Sequence, residues 1–305
     1  MVSFGEFKEI IREEVASRVD YEVRLEEVVK TNGLKLDAIA IKNNTNSLTP
    51  VIYLEKFYEA FCEGRSIEDI AEAIIKLNER ESGLDNGIIN EITNYDFIKS
   101  YLQTKLISKE HNSELLETVP YKEFLDLALV CVLNIPFEED SSEGVAMVRK
   151  NLVSIWGVSE EEMFEVAMAN SMSKNPAMIK SLNEIISDMY NDDFMEEQEE
   201  NEILDLVRCA ESGMYVMTTS NKINGAVTIT YENVLKQFAE EKESDFYILP
   251  SSIHEVIIVP ADDNSDAEVF RDMVQSVNRT AVAPNEILSD NVYYYNRETN
   301  EITIV

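Results

Sequence analysis

Apolar residues fall at helical spacing from the first turn of the chain. Phe4, Phe7, Ile11 and Val15 lie three and four positions apart, which predicts an amphipathic helix ending near Arg18. Two strand-length runs follow, at 21–29 and 34–41. They flank Thr31–Asn32–Gly33, and Asn-Gly suits a tight hairpin because both residues tolerate positive φ. Residues 51–54 lead from Pro50 into a short helical face of Phe57, Tyr58, Ala60 and Phe61, which Gly64 stops. Ser66 and Asp69 then make an imperfect capping box for a helix whose buried stripe is Ile67, Ile70, Ala71, Ile74 and Leu77. Within 83–94 the pattern weakens, and Ile88, Ile89 and Ile92 suggest one more short helix.

Residues 101–107 read as a strand, 108–113 as a polar loop, and 125–135 as a nearly continuous apolar run of the kind a buried strand carries. Pro136 and an acidic stretch end that run, and 145–148 suggests a returning strand. Ser159 and Glu162 form the clearest capping box, with Val158 and Met163 placed as a hydrophobic staple and Met163, Phe164, Ala167 and Met168 on the buried face. Ile179, Leu182, Ile185 and Ile186 predict a further helix, and residues 203–207 a short one. Residues 214–219 and 226–231 read as a hairpin turned by Asn224–Gly225. Val234, Leu235, Phe238 and Ala239 mark a helix. Two strands then flank Pro250–Ser251–Ser252, the most individual stretch of the sequence. Ser265 and Glu268 predict a second capped helix, with Val269, Phe270, Met273, Val274 and Val277 along one face, and 292–295 with 301–305 a closing hairpin.

Helices and strands interleave, but many connections are too short for a parallel crossover. The expected class is therefore α+β, with mainly antiparallel sheets packed against amphipathic helices. Residues 188–202 carry eight acids and no base. Like charges at that density stay solvated, so this segment is expected to link an N-terminal domain (1–187) to a C-terminal one (203–305).

Composition narrows the function classes. Hydrophobic residues make up 45% of the 305, enough for a substantial core. The 59 acids against 26 bases leave a formal charge of −33, and a field of that sign repels phosphate backbones and anionic lipid. Direct binding to nucleic acid or membrane is not expected; a basic protein partner, or mimicry of nucleic acid, is the functional use such a surface has. Only 9 Gly and 7 Pro argue against glycine-rich phosphate loops. No run reaches the roughly 20 apolar residues of a membrane span, and the first residues lack the basic and apolar regions of a signal peptide. A cytoplasmic location is therefore expected; Cys62, Cys131 and Cys209 are odd in number and widely spaced, so reduced thiols are expected, and no motif calls for a cofactor.

Two stretches carry a resemblance: Leu249–Pro250–Ser251–Ser252–Ile253–His254–Glu255–Val256–Ile257–Ile258–Val259–Pro260, and Trp156–Gly157–Val158–Ser159–Glu160–Glu161–Glu162 with Ala169–Asn170–Ser171. The chain resembles a family of cytosolic proteins of anaerobic gram-positive bacteria that share a domain of unknown function. The resemblance spans nearly the whole chain and implies kinship without an activity or catalytic residues.

Candidate chemistry is sparse. With only His111 and His254, sites built from several imidazoles are excluded. Ser251, Ser252 and His254 are the candidate binding residues. Ser252, His254 and Glu255 have the residue types of a nucleophile, base and acid, but if Ile253 begins a strand, Glu255 points away from the other two. Cys131, within Leu-Val-Cys-Val-Leu, reads as a buried and inert thiol. Asp262, Asn264, Asp266 and Glu268 alternate like half of a calcium loop. Ala267 and Met273 stand where its glycine and bidentate glutamate belong, so a helix-capping loop is the better reading and no metal site is expected. Met163, Met168, Met172 and Met178 would suit either core or an adaptable peptide groove. The leading expectation is a non-enzymatic interaction module that binds a basic partner. Its alternatives are a hydrolase or other small-molecule enzyme using the Ser252/His254 region, and an acidic nucleic-acid mimic.

Overall fold

The computed structural model describes residues 2–42, 51–82, 91–136, 143–191, 213–262 and 265–305. The expected helices around Ile88 and at 203–207, and most of the acidic segment, lie outside the described residues. The class is α+β with antiparallel sheets, as the apolar spacing implies. Its residues group into two compact units, 1–98 with 134–145, and 99–133 with 146–305.

In the first unit, helix α1 (Phe4–Arg18) starts on a capping box. Ser3 Oγ accepts the Glu6 amide at 3.3 Å, and Glu6 Oε2 accepts the Ser3 amide at 2.9 Å. Phe7, Ile11 and Val15 are fully buried, as the spacing predicts. Strands β1 (Glu22–Val29) and β2 (Lys35–Lys42) pair from Glu22–Lys42 to Val29–Lys35, and the turn between them holds Asn32 and Gly33 at positive φ. Strand β3 (Val51–Tyr53) adds to β2 and runs into helix α2 (Glu55–Cys62). Helix α3 (Ile67–Ser82) begins where Ser66 Oγ accepts the Asp69 amide at 3.1 Å. Phe7, Ile39, Leu54, Ile70 and Ile74 share one core, and truncating a residue such as Phe7 to alanine there costs about 3–5 kcal/mol. Helix α4 (Tyr95–Ile98) closes the unit.

Strand β4 (Leu102–Ser108) pairs with β6 (Leu127–Pro136), as do β5 (Tyr121–Phe124) and β7 (Glu143–Met147); residues 134–136 and 143–145 of these strands belong to the first unit and the rest to the second. Helix α5 (Ser113–Thr118) follows the expected polar loop, in a stretch for which the sequence pattern makes no prediction. The β5–β6 hairpin was not legible because its two-residue turn is Leu125–Asp126. Leu125 sits at φ 55, a conformation that no local signal advertises. Helices α6 (Lys150–Trp156) and α7 (Glu160–Lys174) follow; Ser159 caps α7 by accepting the Glu162 amide, and α7 packs on β4. There the Ser171 hydroxyl receives both the Thr104 amide and its hydroxyl.

The largest sheet has six strands in the order β13-β12-β10-β11-β9-β8, every neighbour antiparallel. They are β8 (Ala177–Ser181), β9 (Tyr215–Thr219), β10 (Phe246–Leu249), β11 (Val256–Pro260), β12 (Tyr293–Asn296) and β13 (Glu301–Ile304). Helices α8 (Leu182–Asn191), α9 (Val234–Lys242) and α10 (Ala267–Thr280) belong to the same unit. The stretch 245–260 therefore supplies two adjacent strands from the middle of the sheet.

Four expectations need correction. Ile179 lies in β8, paired with Met217, and α8 begins only at Leu182. Residues 226–231 are no strand: Gly225–Thr230 is a buried 3-10 helix, in which Thr228 and Thr230 hydroxyls donate to the carbonyls three residues back. Complete burial removed the alternation that would have told the two apart. Asp266, not Ser265, caps α10, since the Ser265 hydroxyl is occupied with Asp262. Finally, the apolar face of α10 is only partly covered: Val274 is buried and Phe270 packs into the core, whereas Val269, Met273 and Val277 are exposed.

Candidate functional site

Between β10 and β11 the chain cannot continue as strand, because Pro250 lacks an amide and the following residues are held from two sides. Leu288 and Ser289 amides donate to the carbonyls of Ser251 and Pro250, the Ile253 amide donates to Glu286, and the Ile253 carbonyl receives the Ala226 amide. Ser252 is 6% exposed and forms an isolated bridge with Ile287. The condition attached to Ser252, His254 and Glu255 therefore does not hold. Strand β11 starts at Val256, and Ile253 and His254 lie in a bend. Glu255 turns back towards its neighbours.

The bend gathers one imidazole and two carboxylates. His254 Nδ1 accepts the Asn224 amide at 3.3 Å, which leaves the ring proton on Nε2, 3.6 Å from Glu286 Oε1. Ser252 Oγ accepts the His254 amide at 3.0 Å, and the His254 carbonyl receives the Thr218 hydroxyl at 2.7 Å. Burial raises the Glu255 carboxyl above its ordinary value; His254 and a hydrogen bond from Ser252 lower it less strongly, and Glu286 raises it further. Ser251 contributes its backbone carbonyl. Both imidazole nitrogens thus face groups other than the Ser252 hydroxyl, and a serine nucleophile needs its base within hydrogen-bond reach. The bend is a polar knot that locks turn, 3-10 helix and sheet together.

A second cluster anchors the β5–β6 turn. Asp126 accepts Ser289 Oγ at 2.6 Å, Asn291 Nδ2 at 3.0 Å and the Tyr293 hydroxyl at 2.5 Å. Tyr293 is fully buried, and burial with the Asp126 charge drives its phenol far above the usual range.

A concave feature of this unit lies elsewhere. A cleft of about 510 Å³ opens between the ends of α7 and β8, the start of β9, and α9. Tyr215, Tyr231 and Phe238 supply ring surface, Met172 and Ile179 aliphatic surface, and Glu184, Glu241 and Lys242 charge. Tyr215 and Phe238 meet edge to face, with centroids 5.1 Å apart. The Tyr231 hydroxyl donates to the Asn175 carbonyl at 3.3 Å, and burial pushes its phenol up to about 12. The volume falls in the range of small-ligand sites, roughly 300–1,000 Å³.

Of the methionines singled out from sequence, Met172 lines this cleft, Met163 is core, and Met168 sulfur lies 4.0 Å from the Thr104 hydroxyl. The other cleft residues carried no local signal, since five separate elements supply them. Asp262 and Asp266 are engaged in turn and cap bonds, while Asn264 lies outside the described residues. Among the described residues no three His, Cys, Asp or Glu side chains converge as a metal ion requires, and no helix is long and apolar enough to cross a membrane.

Comparison with known proteins finds a match over residues 4–297 to a family described as a family of unknown function (DUF5688). No curated protein matches the chain, and no solved structure does.

Proposed function

The chain belongs to the DUF5688 family, and we propose that it works as a non-enzymatic interaction module that engages a basic protein partner. The supporting observation is how its own cations are used. Lys8, Arg12, Arg18, Arg24, Lys35, Lys76, Lys109 and Lys242 each pair with a carboxylate of this chain. The chain is basic-poor to begin with, at 26 against 59 acids. At least eight of its 26 cations are thus committed to the chain's own carboxylates, and the field of its surplus acids is left to be neutralised from outside. Such a field raises the encounter rate with a cationic partner and weakens with salt over about 10 Å at 0.1 M. The working compartment in this reading is the cytoplasm, consistent with Cys62 and Cys131 as free thiols.

The test is affinity capture followed by reconstitution from purified components. A basic protein that binds the purified chain at moderate salt supports the proposal. Failure of every captured protein to rebind as a purified component rejects it.

One observation favours a second reading, a hydrolase or other small-molecule enzyme acting at the bend: Glu255, raised by burial beside His254, has the character of a general acid. Substrate screening of the native chain against His254→Ala separates the two, since an enzyme of this kind loses its activity on that substitution and a binding module has none to lose.

A further inference from the structure

The cleft beside α9 holds a cation already, and the cation is the chain's own. Lys242 Nζ lies 4.9 Å from the centroid of Tyr215, 5.7 Å from that of Phe238 and 2.8 Å from Glu241 Oε1. An ammonium set against two aromatic rings and closed by a carboxylate is the arrangement by which proteins recognise alkylammonium ligands. Lys242 sits at the last turn of α9, where the helix dipole also favours a positive charge. The carboxylate hold is weak, because Glu241 is 70% exposed and an exposed pair contributes little. The resident ammonium is therefore displaceable.

The rest of the lining states what would displace it. The acids are Glu184 and Glu241 and the base is Lys242, so with Lys242 turned out the cleft presents two carboxylates. An anionic ligand would meet both of them within a chain of charge −33. Met172, Pro176, Ile179 and Val234 give the cleft an apolar side, with Gln237 the other polar side chain beside the rings, and a bare cation leaves that apolar side wet. An ammonium on an aliphatic stem with an apolar neighbour satisfies both parts. Free polyamines carry the ammonium but lack the neighbour; a protein segment carries both.

We infer that the cleft receives a lysine side chain of the partner together with an adjacent apolar residue, and that Lys242 is an internal stand-in which the partner's lysine replaces. The inference rests on the reading of the chain as an acidic module for a basic partner, and it names where and how that partner is held.

The test uses the full chain and a fluorescein-labelled peptide of alternating lysine and leucine, followed by anisotropy at moderate salt. Lys242→Ala removes the competitor and is expected to tighten binding by about three-fold or more, whereas Glu241→Gln loosens it by a similar factor. Lys242→Met, which keeps the apolar stem without the charge, repeats the first arm should the alanine variant fold poorly. A peptide with serine in place of leucine is expected to bind more weakly, and spermidine to compete poorly. Unchanged or weaker binding by both Lys242 variants overturns the inference, as does no peptide binding by any form. Competition by spermidine on a par with the peptide overturns the protein source. None of these failures touches the reconstitution of a basic partner with the whole chain, which can engage the acidic surface elsewhere.

Discussion

Gly225 lies so close beneath the carbonyl oxygen of His254 that no side-chain carbon fits between them; one built on Gly225 would also meet Thr218 Oγ1 and stand 2.7 Å from the Thr219 amide nitrogen. Two of these three obstacles are backbone, which cannot swing aside. Gly225→Ala is therefore expected to destabilise the fold by about 3 kcal/mol, from overpacking that pushes the 3-10 helix off the bend. Gly5 in α1 is the control, because nothing lies within 4 Å of its missing Cβ; Gly5→Ala should be neutral or stabilising by about 0.5–1 kcal/mol. Urea midpoints at constant slope measure both. Equal stability of the two variants would contradict the close approach.

The Asp126 anchor makes a graded prediction. Tyr293→Phe deletes one of its three donors and is expected to cost about 2 kcal/mol, while Asp126→Ala strands the Tyr293, Ser289 and Asn291 donors together and costs more. The pH dependence follows from the raised Tyr293 phenol. Its stability contribution is complete below the ordinary value of 10.0 and is lost as pH rises through the folded value, so alkaline unfolding should set in at higher pH once the residue is phenylalanine. Thermal melts between pH 8 and about 12 would reveal this, and an unchanged alkaline limb in Tyr293→Phe would count against a buried phenol.

Glu255 titrates in the opposite range. Burial, ahead of the other influences, raises its carboxyl above 4.5. A raised group contributes stability below its unfolded value, and that contribution is lost as pH climbs through the folded value, so ionisation of this carboxyl works against the fold. Glu255→Gln should melt higher than the native chain at pH 7, and the two curves should converge near about pH 4. A glutamine variant that is less stable at pH 7 would show that the carboxylate is held by partners more than it is hindered by burial.

Thiol chemistry distinguishes two of the cysteines. Cys62 is exposed, whereas Cys131 in β6 is buried and its thiol is pushed far up by desolvation, with Lys122 lowering it only slightly. Iodoacetamide on the native chain should modify Cys62 and leave Cys131 untouched until urea unfolds the protein. Native labelling of Cys131 at the Cys62 rate would mean that β6 opens.

Local chemistry, read from the sequence by itself, determined the secondary elements wherever a residue's conformational limits act within a few positions. The Ser66 and Ser159 caps, the Asn32–Gly33 turn and the stripe of Phe7, Ile11 and Val15 are such cases, and so is the inertness of Cys131 inside an apolar run. The α+β class and the large charge imbalance follow from the same information. What it missed depended on partners far along the chain. Leu125 accepts positive φ because Asp126 is tied to residues 289–293, and 225–230 coils because Gly225 must pass under His254. Ser252, His254 and Glu255 come together because the clamp from residues 286–289 delays β11 to Val256. The cleft is the extreme case: Met172, Glu184, Tyr215, Tyr231 and Lys242 come from α7, α8, β9, the 3-10 turn and α9, and no period or spacing connects them. Spacing reports what neighbours in sequence share; a concave site is made by residues whose only common property is where the sheet order puts them.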